Sequence, residues 1–451
     1  MSAASSPAEQ RIAHWRSFVS RGRSIAHDDV DELEDHLRHQ IDALEQSGLS
    51  DDEAFLVAVR RLGRVDDLSR EFGREHADRL WKQLVAGDEA TPQPRRHTLA
   101  VAVVAAIAAA LWVTAPTLFG LTPWDTPEIM VPALPVLYLA PLAAYLLIRR
   151  GARATTTVGT LLPFVLVGAL LAWYPFDAFG MTHVLAIAHA AVVLWLAVGF
   201  AYADGDARSG PARMNLIRFT GEWIVYVALI LVGGVVLTAI AVGAFATVGV
   251  SALEPAVEWI APAGTAAAFV IGAWLVEEKQ SVIENIVPVL TRLFTPLFTI
   301  VLLALVAAAV VQNDLIDGSR ELLIVFDVVL VATLALLLYT MSARDPDARP
   351  GWFEGTQLAM IAAALIVDLI VLAAMLGRIG EYGLSANKLA SLGVNLVLFA
   401  NLAGAGWLQL GFLRGRERFS ALESWQTSYV PVYLAWAAVV VVVFPPVFAF
   451  A

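Results

Sequence analysis

The chain has 451 residues, 58% of them apolar and 16% charged, with no cysteine and a net charge of −11. Ordinary soluble domains run at roughly 45–50% apolar and about 25% charged, so a soluble fold would expose aggregating patches. Disorder, a disulfide scaffold, thiolate chemistry and cysteine-held metals are excluded, and the acidic balance gives no electrostatic case for nucleic acid. The expected class is an all-α, polytopic helical membrane protein. The 27 arginines against 3 lysines fit a GC-rich bacterial coding bias.

Charge is not evenly spread. Residues 1–97 carry 14 Lys/Arg and 19 Asp/Glu; the remaining 354 carry 16 and 22. Three parts are expected: a helical domain at 1–86, a linker at 87–97 and a transmembrane domain at 98–451. Met1–Ser24 lacks the apolar core of a signal peptide, so the first domain is expected to stay in the cytoplasm.

In that domain a first helix after Pro7 carries Ile12, Trp15 and Val19. Val30, Leu33, Leu37, Ile41 and Leu44 then recur at helical spacing, with Asp28 suited to cap the helix and Gly48 to stop it. Ser50-Asp51-Asp52-Glu53 is a capping box opening a helix with Phe55, Val59 and Leu62 inward. A fourth helix, capped by Asp66 or Asp67, carries Leu68, Phe72, Leu80 and Leu84. His36 and His39 share a helix, but no second histidine pair stands nearby, so a solvated acidic face is expected rather than a metal site.

The run Val30-Asp31-Glu32-Leu33-Glu34-Asp35-His36-Leu37, then Gly48-Leu49-Ser50-Asp51-Asp52-Glu53-Ala54, Arg61-Leu62-Gly63 and Leu68, resembles the HAAS-type or permease-prefix helical domain of bacterial membrane proteins. The resemblance spans about sixty residues. It implies a signalling adapter, often associated with PadR-type regulators, and hence a cytoplasmic protein partner for residues 1–86.

About twenty apolar residues cross a bilayer as a helix. Eleven segments qualify: 98–119, 129–148, 157–174, 181–203, 221–249, 257–276, 286–312, 321–342, 357–377, 388–412 and 429–449. With the N-terminus inside, fourteen Lys/Arg fall on the cytoplasmic side and three on the other, which predicts a bacterial inner-membrane location with that orientation. Segment 286–312, interrupted by Pro288, Arg292 and Pro296, leaves two readings open: one long span, or an interfacial or broken piece before a true span. Segment 221–249 carries Gly233-Gly234 at its centre.

Ionisable groups within spans are costly and therefore candidate sites. In chain order these are His189, Arg292, Asp327 and Asp368. Two readings stand for the aspartates: a proton- or cation-coupled site, or a structural role, as a buried ion pair with Arg292 or a carboxylate facing a small wet cavity. With no substrate-binding motif, the second is preferred on the residues alone. His183 and His189 lie six apart, on different faces, and His189 reads as a hydrogen-bonded packing residue. Asn395, Asn401 and Gln409 form no single stripe, and Gly404-Ala405-Gly406 permits close helix approach.

Arg378-Ile379-Gly380-Glu381-Tyr382-Gly383-Leu384-Ser385-Ala386-Asn387-Lys388 resembles a loop between late helices in a family of bacterial multi-pass proteins, which implies a membrane fold and no particular activity. Arg378, Glu381, Tyr382 and Lys388 are its candidate binding residues, against a plain capped turn. No phosphate loop, His-Glu-x-x-His or Gly-x-Ser-x-Gly occurs, so no enzyme, cofactor or metal is expected. The leading expectation is a membrane signalling or scaffold component that contacts lipid and a cytoplasmic protein but no nucleic acid. The rival is a secondary transporter or permease using Asp368 and Asp327.

Overall fold

The computed structural model describes residues 34, 37–41, 44, 54 and 58, then residues 95–451 apart from 279–285, 313–319 and 347. Side chains at 95–98, 286–290, 308–312 and 320–325 are also outside the described set. The chain divides into two units, Met1–Pro94 and Arg95–Ala451, each described by itself.

In the first unit the described residues are helical, and Leu37, Ile41, Leu44, Ala54 and Ala58 are buried. Three members of the expected stripe thus face a core, and Arg38 pairs with Glu34 one turn earlier at 2.8 Å. His39 is exposed. Val30, Leu33, His36, the Ser50 box and the first and fourth helices lie outside the described residues.

The second unit is all helix, with no strand among its described residues. Eleven long helices follow in order: α1 (Arg95–Thr114), α2 (Pro127–Arg149), α3 (Ala154–Trp173), α4 (Met181–Tyr202), α5 (Gly210–Thr247), α6 (Ala261–Glu278), α7 (Ile286–Gln312), α8 (Arg320–Ser342), α9 (Trp352–Tyr382), α10 (Ala386–Leu413) and α11 (Phe419–Val442). A short α12 (Phe444–Val447) ends the chain. Among the described residues nine helices are long and apolar enough to cross a membrane, and Thr291–Ala307 of α7 and Phe326–Ser342 of α8 are apolar as well. The protein is therefore an all-α polytopic membrane protein.

The proline-interrupted segment is a continuous helix. Pro296 sits inside α7 and Pro132, Pro135 and Pro141 inside α2, because neighbouring helices and hydroxyl side chains re-satisfy freed backbone groups. Helix α5 begins earlier than the apolar run suggests: Pro211 sits in its first turn and the Ser209 hydroxyl accepts from the Ala212 amide. Its 38 residues extend about 57 Å at 1.5 Å per residue, well beyond a hydrocarbon core of about 30 Å.

Two cores organise the helices. One is built from α1 to α6 around Leu142, Leu146, Leu194, Phe219 and Val270; the other from α7 to α11 around Leu330, Leu337, Met360, Ile361 and Leu402. Helix α11 lies between them, packing on α10, α4 and α5. The contact of α10 with α11 depends on glycine. A Cβ at Gly393 would run into the Trp436 ring and one at Gly404 into the Trp425 ring.

The arginine-bearing loops gather at one end of this unit. Arg149 and Arg150, at the end of α2, reach Glu277 at the end of α6, and the Arg150 guanidinium lies 4.4 Å from the Tyr202 ring centre at the end of α4. Arg218 donates to the Ser342 carbonyl at the end of α8. Arg344 forms an ion pair with Glu354 at 2.9 Å and stacks on Phe412 and Phe419. These contacts follow the alternation of successive antiparallel spans.

Candidate functional site

Helices α8, α9 and α10 pack against one another, and α7 packs on α9. Asp327 enters from α8, Asp368 from α9, and Ser391 and Asn395 from the first turns of α10. The α10 register follows from its start, where the Ser385 hydroxyl accepts from the Lys388 amide. Ser391 and Asn395 are one turn apart and so share a face.

Both grip Asp327. The Ser391 hydroxyl donates to Oδ2 at 2.8 Å and the Asn395 amide to Oδ1 at 2.9 Å. The same amide reaches Met375 Sδ at 3.5 Å. Asp327 is half-buried and thus supplied with donors.

Asp368 differs. It is 0% exposed, and neither Oδ1 nor Oδ2 has a hydrogen-bond partner. The charged group that acts on it is another acid, Asp327. Among the other buried oxygens without partners, Asn395 Oδ1 lies on α10 and Thr295 Oγ1 on α7. An unpaired buried carboxylate costs several kcal/mol even after relaxation, so the charged form of Asp368 is disfavoured in this setting.

Towards the arginine-rich end, α9 and α10 meet in a second polar cluster. Gln409 donates to the Glu354 carbonyl and to Gln357 Oε1, each at 3.2 Å. The Glu354 carboxylate accepts from the Gly351 amide at 2.6 Å and from Arg344. Met360, Ile361, Ala364 and Leu402, all 0% exposed, occupy the same two helices between this cluster and Asp368. The aspartate pair is therefore separated from the arginine-rich end by apolar side chains.

The ion pair expected of Arg292 does not form. Thr291, Thr295 and Thr299 make the buried face of α7, at steps of four, whereas Arg292 is exposed beside Leu293 and Phe294 and pairs with neither aspartate. One residue of helical phase, about 100°, separates it from the buried stripe. Near a helix end, a long basic side chain stays at the interface.

His189 is also elsewhere. It is half-buried on α4, with Nδ1 2.9 Å from the Leu185 carbonyl of its own helix. His183 is buried, stacks on Phe176 and accepts from the Phe179 amide. The expected loop is shorter in the structure: Arg378, Glu381 and Tyr382 belong to the last turns of α9 and Lys388 to the first turn of α10, joined by residues 383–385. Lys388 Nζ donates to the carbonyls of Arg378 and Gly383 at 3.2 and 2.8 Å and lies 5.4 Å from the Tyr382 ring centre. Glu381 and Tyr382 are exposed. A φ of +74° at Gly383, a backbone region suited to glycine, makes the turn possible.

Sequence reasoning missed Ser391 and Asn395 as partners of Asp327. It also missed that Asn395 and Gln409, fourteen residues apart, face nearly the same side, towards α9, while Asn401 turns to Gln426 of α11. The four-residue and fourteen-residue spacings were the available signal. No group of three or more His, Cys, Asp or Glu suited to a metal occurs among the described residues.

Comparison with known proteins gives no matching family model, no matching curated protein and no matching solved structure.

Proposed function

We propose that the membrane unit moves a proton or small cation, coupled or not to a solute, through the Asp327–Asp368 pair, as a secondary transporter does. The observation that carries this is Asp368, wholly buried with both oxygens unpartnered and an acid as its charged neighbour. A purely structural aspartate at that depth would be expected to have donors, as Asp327 does. Asp327, half-buried and held by Ser391 and Asn395, is the relay between Asp368 and the end of the helices where α8 and α10 begin. The apolar layer around Ile361 and Leu402 is the closed gate towards the arginine-rich end.

The test is proton flux in proteoliposomes bearing the full chain, wild type against Asp368→Asn. Wild-type flux above empty liposomes, lost in the variant, supports the assignment; equal flux removes it.

A regulatory role for the first unit is the second reading. Its buried Leu37, Ile41, Leu44, Ala54 and Ala58 support a packed helical bundle able to present a docking face. On this reading residues 1–86 form a cytoplasmic protein-contact module, as the resemblance to the HAAS-type domain implies, and the arginine-rich end faces the cytoplasm of a bacterial inner membrane. Crosslinking of the full-length protein in cells, followed by identification of the adducts, tests it. A crosslinked cytoplasmic protein lost on deleting residues 1–86 supports it; crosslinks unaffected by the deletion count against it.

A further inference from the structure

A second set of unpartnered polar atoms lies away from the aspartates, between α4, α5, α8 and α11. Here a cavity of about 210 Å³ is lined by Trp195, Ile224, Leu338, Tyr339, Gln426 and Tyr433 among others. Gln426 is 1% exposed; its Oε1 accepts from Asn401, but its Nε2 has no partner. The hydroxyls of Tyr339 and Tyr433 are likewise buried and unpartnered. Three such groups around one cavity is a concentration that native interiors avoid unless ordered water or a ligand satisfies them.

The surroundings indicate the ligand's chemistry. The cavity wall is apolar and aromatic, and Ile224, 54% exposed, with the exposed Ala335 places its mouth on the outward, lipid-facing surface. An adjoining cavity of about 140 Å³ shares Leu196, Leu216 and Val430 and reaches Arg213. That guanidinium is held by the carbonyls of Ala207 and Thr427 at 2.7 and 3.0 Å and forms no ion pair with a carboxylate among the described residues. Asp206, in the same cavity, is engaged by the Ser209 amide. A positioned cation at the arginine-rich end, buried hydrogen-bonding groups next, and an apolar slot opening sideways match the sequence of groups along one amphiphile.

We propose that these adjoining cavities hold one membrane phospholipid. Its phosphate lies at Arg213, a glycerol ester carbonyl accepts from Gln426 Nε2 beside the two tyrosine hydroxyls, and one acyl chain follows the slot out between α5 and α8. This site is independent of the aspartate pair.

The experiment is native mass spectrometry, with lipid extraction, of the full chain purified in mild detergent and then exchanged into a second detergent. Wild type retains a phospholipid at one-to-one stoichiometry. Gln426→Leu weakens retention about tenfold, as the loss of one hydrogen bond worth about 1.4 kcal/mol would. Arg213→Gln weakens it too, and Ala335→Trp at the mouth blocks entry. Should Gln426→Leu fail to fold because Asn401 loses its partner, Tyr433→Phe and Ala335→Trp decide the question. A wild type free of lipid, a prenyl quinone or only detergent as occupant, or retention unchanged across the folded variants overturns the proposal.

Discussion

Asn395 holds Asp327 across 68 residues of chain, amide nitrogen to carboxylate oxygen at 2.9 Å, and so fastens α10 to α8 beside an aspartate on α9 that it leaves unpaired. The contrast between the two acids is the centre of the functional reading. One has its donors built in; the other, wholly buried, has none.

A double-mutant cycle of Asp327→Ala and Asn395→Leu measures the first relationship. The expected coupling is about 0.6–1.7 kcal/mol, the range found for hydrogen bonds between transmembrane helices. Thermal unfolding in detergent micelles reads it, and strictly additive effects would show that the contact carries no energy.

Asp368 makes the opposite prediction for stability and activity. Replacing the unpartnered buried carboxyl by an apolar side chain, with valine the nearest in size, is expected to leave stability unchanged or raise it by about 1–4 kcal/mol, as for other buried charged groups exchanged for apolar ones. Proton flux in proteoliposomes is lost in the same variant. Destabilisation of both Asp368→Val and Asp368→Asn would show that Asp368 is structural.

Arg344 links α8 to the start of α9 and to the α10–α11 corner, through Glu354, the Asp345 and Ala348 carbonyls and the faces of Phe412 and Phe419. Arg344→Met leaves the buried Glu354 without its counter-ion and should cost about 3–5 kcal/mol. Arg344→Lys is expected to rescue little, because an ammonium does not reproduce the fork of donors and the stacking. Chemical denaturation of the purified protein distinguishes the two variants.

Glycine substitutions separate tight packing from open surface. Gly404→Ala places a methyl in the Trp425 ring and should destabilise by about 1–3 kcal/mol. Gly233 has nothing within 4 Å of the added carbon, and Gly233→Ala, in mid-helix, should stabilise by about 0.5–1 kcal/mol. Melting temperatures of the two single variants check the ordering.

The orientation can be read with thiol labelling, since the chain has no cysteine of its own. Arg416→Cys lies in an exposed turn at the arginine-rich end and Glu381→Cys at the other, in the exposed C-terminal end of α9. With the arginine-rich end cytoplasmic, an impermeant maleimide applied to right-side-out vesicles labels Glu381→Cys and spares Arg416→Cys. The reverse pattern inverts the topology.

Sequence alone determined that this is a bundle of apolar helices, and roughly where each lies. Hydropathy is a local property, and twenty apolar residues in a bilayer have helix as their one satisfactory backbone. It also isolated Asp327, Asp368 and Arg292, because a charge in an apolar run is visible without any neighbour. What it could not supply was phase between helices. An ion pair of Arg292 with an aspartate needs their helices to turn these side chains towards each other, yet one residue of helical rotation turns Arg292 outward while Thr291, Thr295 and Thr299 face in. Ser391 and Asn395 became partners of Asp327, and Gln426 the unpartnered amide of a cavity, only when α8, α10 and α11 came together. Hydrogen bonding is short-ranged and directional, so which polar groups are satisfied and which are left waiting is decided by tertiary packing.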